Sequence, residues 1–199
     1  MLTEILVESI VNFIAGAGYA GLVVLMAMES TIFPVPSEAV LPFAGFLIAH
    51  EKFSFIGVVF FSTLGSLIGS LISYYIGAFG GRHFIKRFGK YVFLNNHHLN
   101  LTETFFKKHG EITVFVGGFI PVVRHFISIP AGIGKMNLLK FSVFTIIGAG
   151  IWNTFLVYIG FSLKNNWSEI IKYSQIIDII IILGFVVVIA YFLYSHTKH

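Results

Sequence analysis

The 199-residue chain contains no cysteine and few charged residues. Without cysteine, disulfides, thiolate metal sites and cysteine nucleophiles are all excluded. Only 11% of the residues are Asp, Glu, Lys or Arg, whereas a soluble domain usually has about a quarter. In contrast, 56% are hydrophobic and the mean hydropathy is +0.88. The composition therefore predicts an integral membrane protein, and a net charge of +4 is too small to indicate nucleic-acid binding.

Basic residues are also missing from the first ten positions, where Glu4 and Glu8 are the charged residues. A cleavable signal peptide has a positive flank, so the first apolar run is expected to be a retained helix. Four apolar stretches are long enough to cross a bilayer, which takes about 20 residues. They are residues 11–28, 56–79, 141–163 and 176–194.

Two further apolar stretches, 31–50 and 112–133, are interrupted by proline. Proline removes a backbone donor and clashes with the preceding turn, so a continuous helix is not expected in either stretch. Each is predicted to be a re-entrant hairpin, because irregular backbone is tolerated at membrane depth when it is buried in protein or lines a wet cavity. The residues expected to shape the hairpins are Pro34, Pro36, Pro42, Gly45, Pro121, Pro130 and Gly132.

The two halves of the chain resemble each other. Pro34-Val35 and Ala44-Gly45 recur 87 residues later, and Tyr75-Ile76-Gly77 recurs 83 residues later. A single span lies between the hairpins, so the halves, 11–79 and 112–163, are expected to be inverted. The predicted fold is an all-α integral membrane protein of one domain, with four transmembrane helices plus two re-entrant helical hairpins in an inverted repeat. Transporters of this plan hold their substrate at the repeat interface near mid-membrane.

The distribution of basic residues predicts the orientation. With four crossings, nine Lys and Arg residues share one face, namely those of the 81–110 loop with Lys135, Lys140 and Lys198. The opposite face has three. The positive-inside rule then makes 81–110 a cytoplasmic basic loop and both termini cytoplasmic, in a multi-pass protein of the plasma membrane. Within that loop, Asn100 and Glu103 are expected to cap a short surface helix.

Glu29, Glu38, Arg124 and His125 lie within or beside the apolar segments and are the candidate substrate-binding residues. A charge at the bilayer centre costs roughly 2.5–3.5 kcal/mol on insertion scales, so such residues face a cavity or a partner. Arg124 suits a phosphate because its guanidinium is a planar fork. His125 is expected to assist it, and either carboxylate to exchange protons. A purely structural Glu–Arg pair that locks the hairpins together is the alternative.

Enzyme motifs are absent from the sequence. It contains no His-Glu-x-x-His zinc site, no Gly-x-Ser-x-Gly elbow and no P-loop. No metal, cofactor or catalytic residue is therefore predicted, and the sequence leaves homo-oligomerisation open.

Three sequence blocks, in this order, carry a family resemblance. They are Glu29-x4-Pro34-x-Pro36-Ser37-Glu38 with Pro42-x-Ala44-Gly45; Gly65-x3-Gly69 with Tyr74-Tyr75-x-Gly77 and Gly81-Arg82; and His109-Gly110 with Phe119-x-Pro121-x2-Arg124, Pro130-Ala131-Gly132 and Gly148-x3-Trp152. The chain resembles the DedA family, also called SNARE-associated or VTT-domain proteins, over about residues 20 to 160. It departs from the family pattern at Gly118, where an arginine is usual, and at Ser70, in a region where many members have an aspartate.

The resemblance implies a lipid transporter with lipid phosphate headgroups and membrane lipids as its partners. Members of the family are implicated in returning undecaprenyl phosphate to the cytoplasmic leaflet and in moving phospholipids. A flippase for such a lipid, coupled to a proton or ion gradient, is the leading hypothesis. The alternatives are a proton- or cation-coupled carrier of a small soluble solute and a membrane scaffold without transport activity.

Overall fold

The computed structural model describes residues 2–31, 37–49, 52–81 and 96–163, and this part of the chain is helical throughout, without β-strands. The helices are α1 (Leu2–Glu29), α2 (Ser37–Ala49), α3 (Phe55–Tyr75) continued by a π turn (Ile76–Gly80), α4 (Asn96–Gly117), α5 (Pro121–Phe126), α6 (Ser128–Ile133) and α7 (Leu138–Leu163). The prediction of an all-α protein is confirmed. The predicted span 176–194, residues 82–95 of the basic loop, and Pro34 and Pro36 lie outside the described residues.

Among the described residues, two helical segments are long and apolar enough to cross a membrane. They are Phe55–Gly80, which joins α3 to the π turn, and Leu138–Leu163, which is α7. Each has 26 residues and is therefore about 39 Å long, against a hydrocarbon core of about 30 Å. Helix α7 begins three residues before the predicted span because the Asn137 side chain accepts a hydrogen bond from the Lys140 backbone N–H at 3.1 Å. This is an N-cap that the hydropathy pattern does not reveal.

The predicted first span, 11–28, is not one straight helix. Gly18 has φ +64° and ψ −145°, which breaks the helical backbone inside α1. Glycine adopts this conformation at little cost because it has no Cβ. The apolar portion from Gly16 to Glu29 is shorter than the stretch read from the sequence.

Helix α4 begins at Asn96, inside the segment predicted to be a loop and four residues before the predicted cap at Asn100. It runs without interruption to Gly117, so the prediction of a short surface helix capped at Asn100 is wrong. Two lysines that the charge count assigned to the basic face contact this helix: Lys140 pairs with Glu111 at 2.5 Å and Lys135 with Glu103 at 3.5 Å. Both pairs involve at least one exposed side chain, and such pairs contribute little to stability.

The proline-containing segments form short helices. Helix α2 has 13 residues and continues through Pro42, while α5 and α6 have six residues each. At about 20 Å, α2 is too short to cross a 30 Å core by itself. Helix α5 starts with Pro121 at its first position, where the missing N–H has no intrahelical partner to lose. Pro130 cannot donate to Phe126, which separates α5 from α6 at Ile127.

Two hydrophobic clusters occupy opposite ends of the α3–α7 pair. Val58 of α3 and Val157 of α7 belong to the cluster that also contains α1 and α2 residues. Tyr74 of α3 and Phe141 of α7 belong to the cluster with α4 and α6 residues. Val58 and Tyr74 are 16 positions apart, or about 24 Å along the helix. The middle of the pair therefore lies between the two clusters, and it is there that the helices carry buried polar side chains.

Tyr74→Phe is expected to destabilise the protein by about 1–2 kcal/mol. The buried Tyr74 hydroxyl donates to the Met136 carbonyl at 2.5 Å and ties α3 to the chain just before α7. Removing it leaves a buried acceptor unpaired. The measurement is thermal unfolding of the detergent-solubilised protein, with Tyr75→Phe as the matched control because Tyr75 is 43% exposed. Equal melting temperatures for the two variants would contradict the expectation.

Candidate functional site: a buried ion pair at the end of α1

Glu29 and Arg124 form an ion pair that is almost completely withdrawn from solvent. Arg124 Nη2 lies 3.1 Å from Glu29 Oε1 and 3.3 Å from Oε2. The Glu29 side chain has no exposed surface and that of Arg124 is 7% exposed. Because transfer of either charge alone into an apolar medium is very costly, the two residues depend on each other.

The end of α1 explains why a cation is needed at this place. Glu29 is the last residue of α1, where the helix dipole is negative and a carboxylate is unfavourable without a partner. Its carbonyl oxygen lies 3.0 Å from His125 Nδ1, and since a carbonyl can only accept, Nδ1 carries the proton. The neighbouring carbonyls accept from side chains too: Met28 from Thr31 at 2.6 Å, and Ser30 from Ser73 at 3.0 Å.

The short helix α5 fixes the direction of Arg124. The Arg124 N–H donates to the Ile120 carbonyl at 2.9 Å, closing the first turn after Pro121. Its guanidinium carbon lies 5.7 Å from the centre of the Trp152 ring, which allows a cation–π interaction. Nη1 is buried and makes no hydrogen bond within the described part of the chain. Nη2 of the guanidinium therefore binds Glu29, while the N–H donors of Nη1 are unused among the described residues.

Glu38 forms no ion pair with Arg124, although the two residues have similar places in the repeat: Glu38 lies four residues after Pro34, and Arg124 three after Pro121. The ion pair uses Glu29 instead. Glu38 lies in the first turn of α2, and its Oε1 is buried without a hydrogen-bond partner within the described residues. The structure therefore brings Glu29, Arg124 and His125 into contact, and the carboxylate that pairs with Arg124 is Glu29.

A small cavity of about 30 Å³ lies beside Arg124, between α3 and α7. Its polar lining consists of the hydroxyls of Ser30, Ser66, Ser70, Ser128 and Thr145 together with Arg124. Gly118 and Ser70, the two positions that depart from the family pattern, both line it. Asn153 Nδ2 lies 3.5 Å from Ser66 Oγ, which extends the polar layer along α7. No group of three His, Asp or Glu residues able to hold a metal occurs in the described ranges.

These serines are the functional candidates that the sequence analysis missed. Ser62, Ser66, Ser70 and Ser73 of α3 are all buried. Their spacing of four, four and three residues puts them on one face of a helix, and this spacing is the signal that could have found them.

Comparison with known proteins identifies the family. The VTT domain matches residues 35–162. The undecaprenyl phosphate transporter A of Bacillus subtilis is 37% identical over 188 residues, covering 94% of this chain and 93% of the relative. The protein of the same name from Staphylococcus aureus is 36% identical over 185 residues, covering 89% and 91%. An "alkaline phosphatase-like protein" of Lactococcus lactis is 35% identical over 192 residues, covering 92% and 89%.

No solved structure matches the chain. The domain match covers well over half of the residues, and the relatives align along nearly their whole length. The predicted resemblance is therefore confirmed, and the chain belongs to the VTT-domain family of membrane proteins, the DedA family.

Proposed function

We propose that this protein is a flippase that moves a phosphate-bearing lipid between the two leaflets of the plasma membrane. Undecaprenyl phosphate is the first candidate, because two relatives that align along nearly the whole chain are named as transporters of it. A phospholipid is the second. The proposed activity is transport without covalent chemistry.

The observation that carries the proposal is a buried arginine with unused donors. Arg124 is held at the end of α1 by Glu29, and its Nη1 has no partner within the described residues. A guanidinium fork can bind a phosphate through two parallel hydrogen bonds. Phosphate would then compete with the Glu29 carboxylate for Arg124. The headgroup crosses the site when the phosphate replaces that carboxylate as the partner of Arg124.

The remaining candidate residues have roles that follow from this exchange. When a phosphate takes Arg124, the Glu29 carboxylate is left buried without its counter-ion and is expected to take up a proton. Glu38 lies close by and is proposed to pass that proton on. His125 keeps the end of α1 in place through its bond to the Glu29 carbonyl. Coupling of lipid movement to a proton gradient is the consequence.

The proposed arrangement in the membrane keeps the lipid tails in the bilayer while the headgroup passes between the hairpins. In this proposed arrangement the protein has four membrane spans, two re-entrant hairpins in an inverted repeat, and both termini in the cytoplasm. The short length of α2 supports a hairpin that does not cross.

The test uses the full-length protein reconstituted in vesicles with a fluorescent polyprenyl phosphate, labelled on its tail. Dithionite added outside quenches only the label in the outer leaflet. Vesicles with protein are expected to lose the inner-leaflet signal much faster than empty vesicles, and faster still with a proton gradient. Equal rates with and without protein would rule out the proposed function, and uptake of a soluble solute instead would favour the carrier.

A further inference from the structure

The cavity beside Arg124 has a lining suited to one kind of ligand. Among the described residues that line it, Arg124 is the only charged one, and Asp and Glu are absent. The other polar groups are hydroxyls, which can donate to an anion. A cation would meet a guanidinium and no counter-charge in this cavity, so the electrostatics favour an anion.

The cavity serines differ from other buried serines of the same helix. Ser62 and Ser73 donate to backbone carbonyls, those of Val59 at 3.1 Å and Ser30 at 3.0 Å. Neither lines the cavity. The Ser66 Oγ accepts from Asn153 and so keeps its own proton for another acceptor. Of the hydroxyls that line the cavity, that of Ser30 donates to Glu29 Oε2 at 3.5 Å, and the others are left to donate to a ligand.

The volume limits what can enter. A water molecule needs roughly 10–15 Å³ measured in this way, so about 30 Å³ admits about two oxygen-sized groups. Two phosphoryl oxygens are of that size. An ethanolamine or glycerol beyond the phosphate is not, because each adds at least three heavy atoms.

We propose that this cavity receives two of the unesterified oxygens of a terminal phosphate, which enters end-on and is bound by Arg124 and by the hydroxyls of Ser70, Ser128 and Thr145. The inference rests on the proposed function and deepens it. It assigns the choice of headgroup to residues of α3, α6 and α7 and makes the substrate a lipid whose phosphate carries no further group. The length of the tail is not selected here.

The experiment compares two fluorescent lipids with the same tail in reconstituted vesicles. One ends in a phosphate and the other in the corresponding phosphoethanolamine. The double variant Ser70→Ala/Thr145→Val removes two cavity hydroxyls and keeps the shape of the site. It is expected to slow transfer of the terminal phosphate about tenfold or more, since hydrogen bonds to a charged group are lost. The unmodified protein is expected to prefer the terminal phosphate by a similar factor, and the variant to lose that preference.

The matched control is Ser62→Ala/Thr154→Val, which changes the same residue types on the same two helices. Both of these hydroxyls bond to carbonyls of their own helix, that of Thr154 to Gly150 at 2.6 Å, and neither lines the cavity. The control should transfer lipid like the unmodified protein. Equal loss in the two double variants, or retained preference in Ser70→Ala/Thr145→Val, would overturn the inference while leaving lipid transport intact.

A third arm separates the lipid from free phosphate. Millimolar inorganic phosphate on both sides of the vesicles is expected to leave lipid transfer unchanged, because free phosphate has no tail to hold it in the bilayer beside the cavity. Strong inhibition that disappears in the cavity variant would show a site for soluble phosphate and would overturn the assignment to lipid. Absence of any lipid transfer by the unmodified protein would refute the proposed function itself.

Discussion

Changing both Glu29 and Arg124 to glutamine is expected to give a folded protein that no longer transfers a lipid phosphate. Removing one member of a buried pair leaves an uncompensated charge and typically costs about 3–5 kcal/mol, whereas neutralising both is far milder. Two glutamine side chains can replace the ion pair with neutral hydrogen bonds of similar reach. The fold is therefore expected to survive, while the cation that binds phosphate is gone.

The measurement is vesicle transfer of a tail-labelled polyprenyl phosphate, with thermal unfolding of the same preparations. Transfer by the double variant should fall at least about a hundredfold, because a bidentate charged contact is removed. Arg124→Lys keeps the charge and loses the fork, so it should retain partial transfer. Arg124→Gln alone should be both inactive and clearly less stable than the double variant.

Full transfer by the Glu29→Gln/Arg124→Gln protein would mean that the pair only locks helices together. This result separates the two interpretations that the sequence left open. A stability measurement without transfer would not, because both interpretations expect the single variants to be unstable.

The Glu29–Arg124 pair was only partly predictable from the sequence. Both residues could be found because a charge in an apolar segment needs a partner. The sequence could not predict which carboxylate, Glu29 or Glu38, contacts Arg124. The offset of 87 places Glu38 opposite His125, next to Arg124, and so favoured Glu38. The contact is made instead by the end of α1, which spacing alone does not locate.

The breaks in the helices were predictable to different degrees. The interruption before Pro121 follows from proline chemistry. The kink at Gly18 did not follow, because glycine is common within membrane helices and only tertiary contacts decide which one leaves the helical region. The start of α4 at Asn96 was missed for another reason. A polar helix without a clear apolar period is difficult to distinguish from a loop.

Glycine contacts between the short and long helices occur in two matching sets. A Cβ on Gly45 of α2 would overlap the Val157 carbonyl of α7, and one on Gly132 of α6 would overlap the Tyr74 carbonyl of α3. Gly45 and Gly132 are 87 residues apart, and Tyr74 and Val157 are 83 apart. The reciprocal contacts, Gly160 with Pro42 and Gly77 with Ile129, have the same two offsets.

These offsets are the ones that defined the repeat in the sequence. The short helix of each half packs against the long helix of the other half, as an exchanged pair. The agreement supports the proposed repeat, because glycines that recur at these offsets in the sequence also make equivalent backbone contacts in the structure. It also explains why glycine is required: only a residue without a side chain lets two helix backbones approach this closely.

Gly132→Ala and Gly160→Ala are therefore expected to destabilise the protein strongly and to similar extents. The added methyl would meet a backbone carbonyl, which cannot move aside as a flexible side chain can. Overpacking of this kind costs about 3 kcal/mol, which corresponds to a melting temperature lower by roughly 6–12 °C. The measurement is thermal unfolding in detergent followed by circular dichroism.

Gly150→Ala is the matched control, because a Cβ there has its nearest neighbour at 3.9 Å and Gly150 lies on the same helix as Gly160. It should be neutral or slightly stabilising, since alanine favours a helix over glycine by about 1 kcal/mol. Tolerance of alanine at Gly132 but not at Gly160 would mean that only one of the exchanged contacts is tight, and the two halves would then not be equivalent. If alanine destabilises the protein at both Gly132 and Gly160 but not at Gly150, the exchanged packing holds the two hairpin segments against the long helices. The Glu29–Arg124 pair is then fixed between these segments.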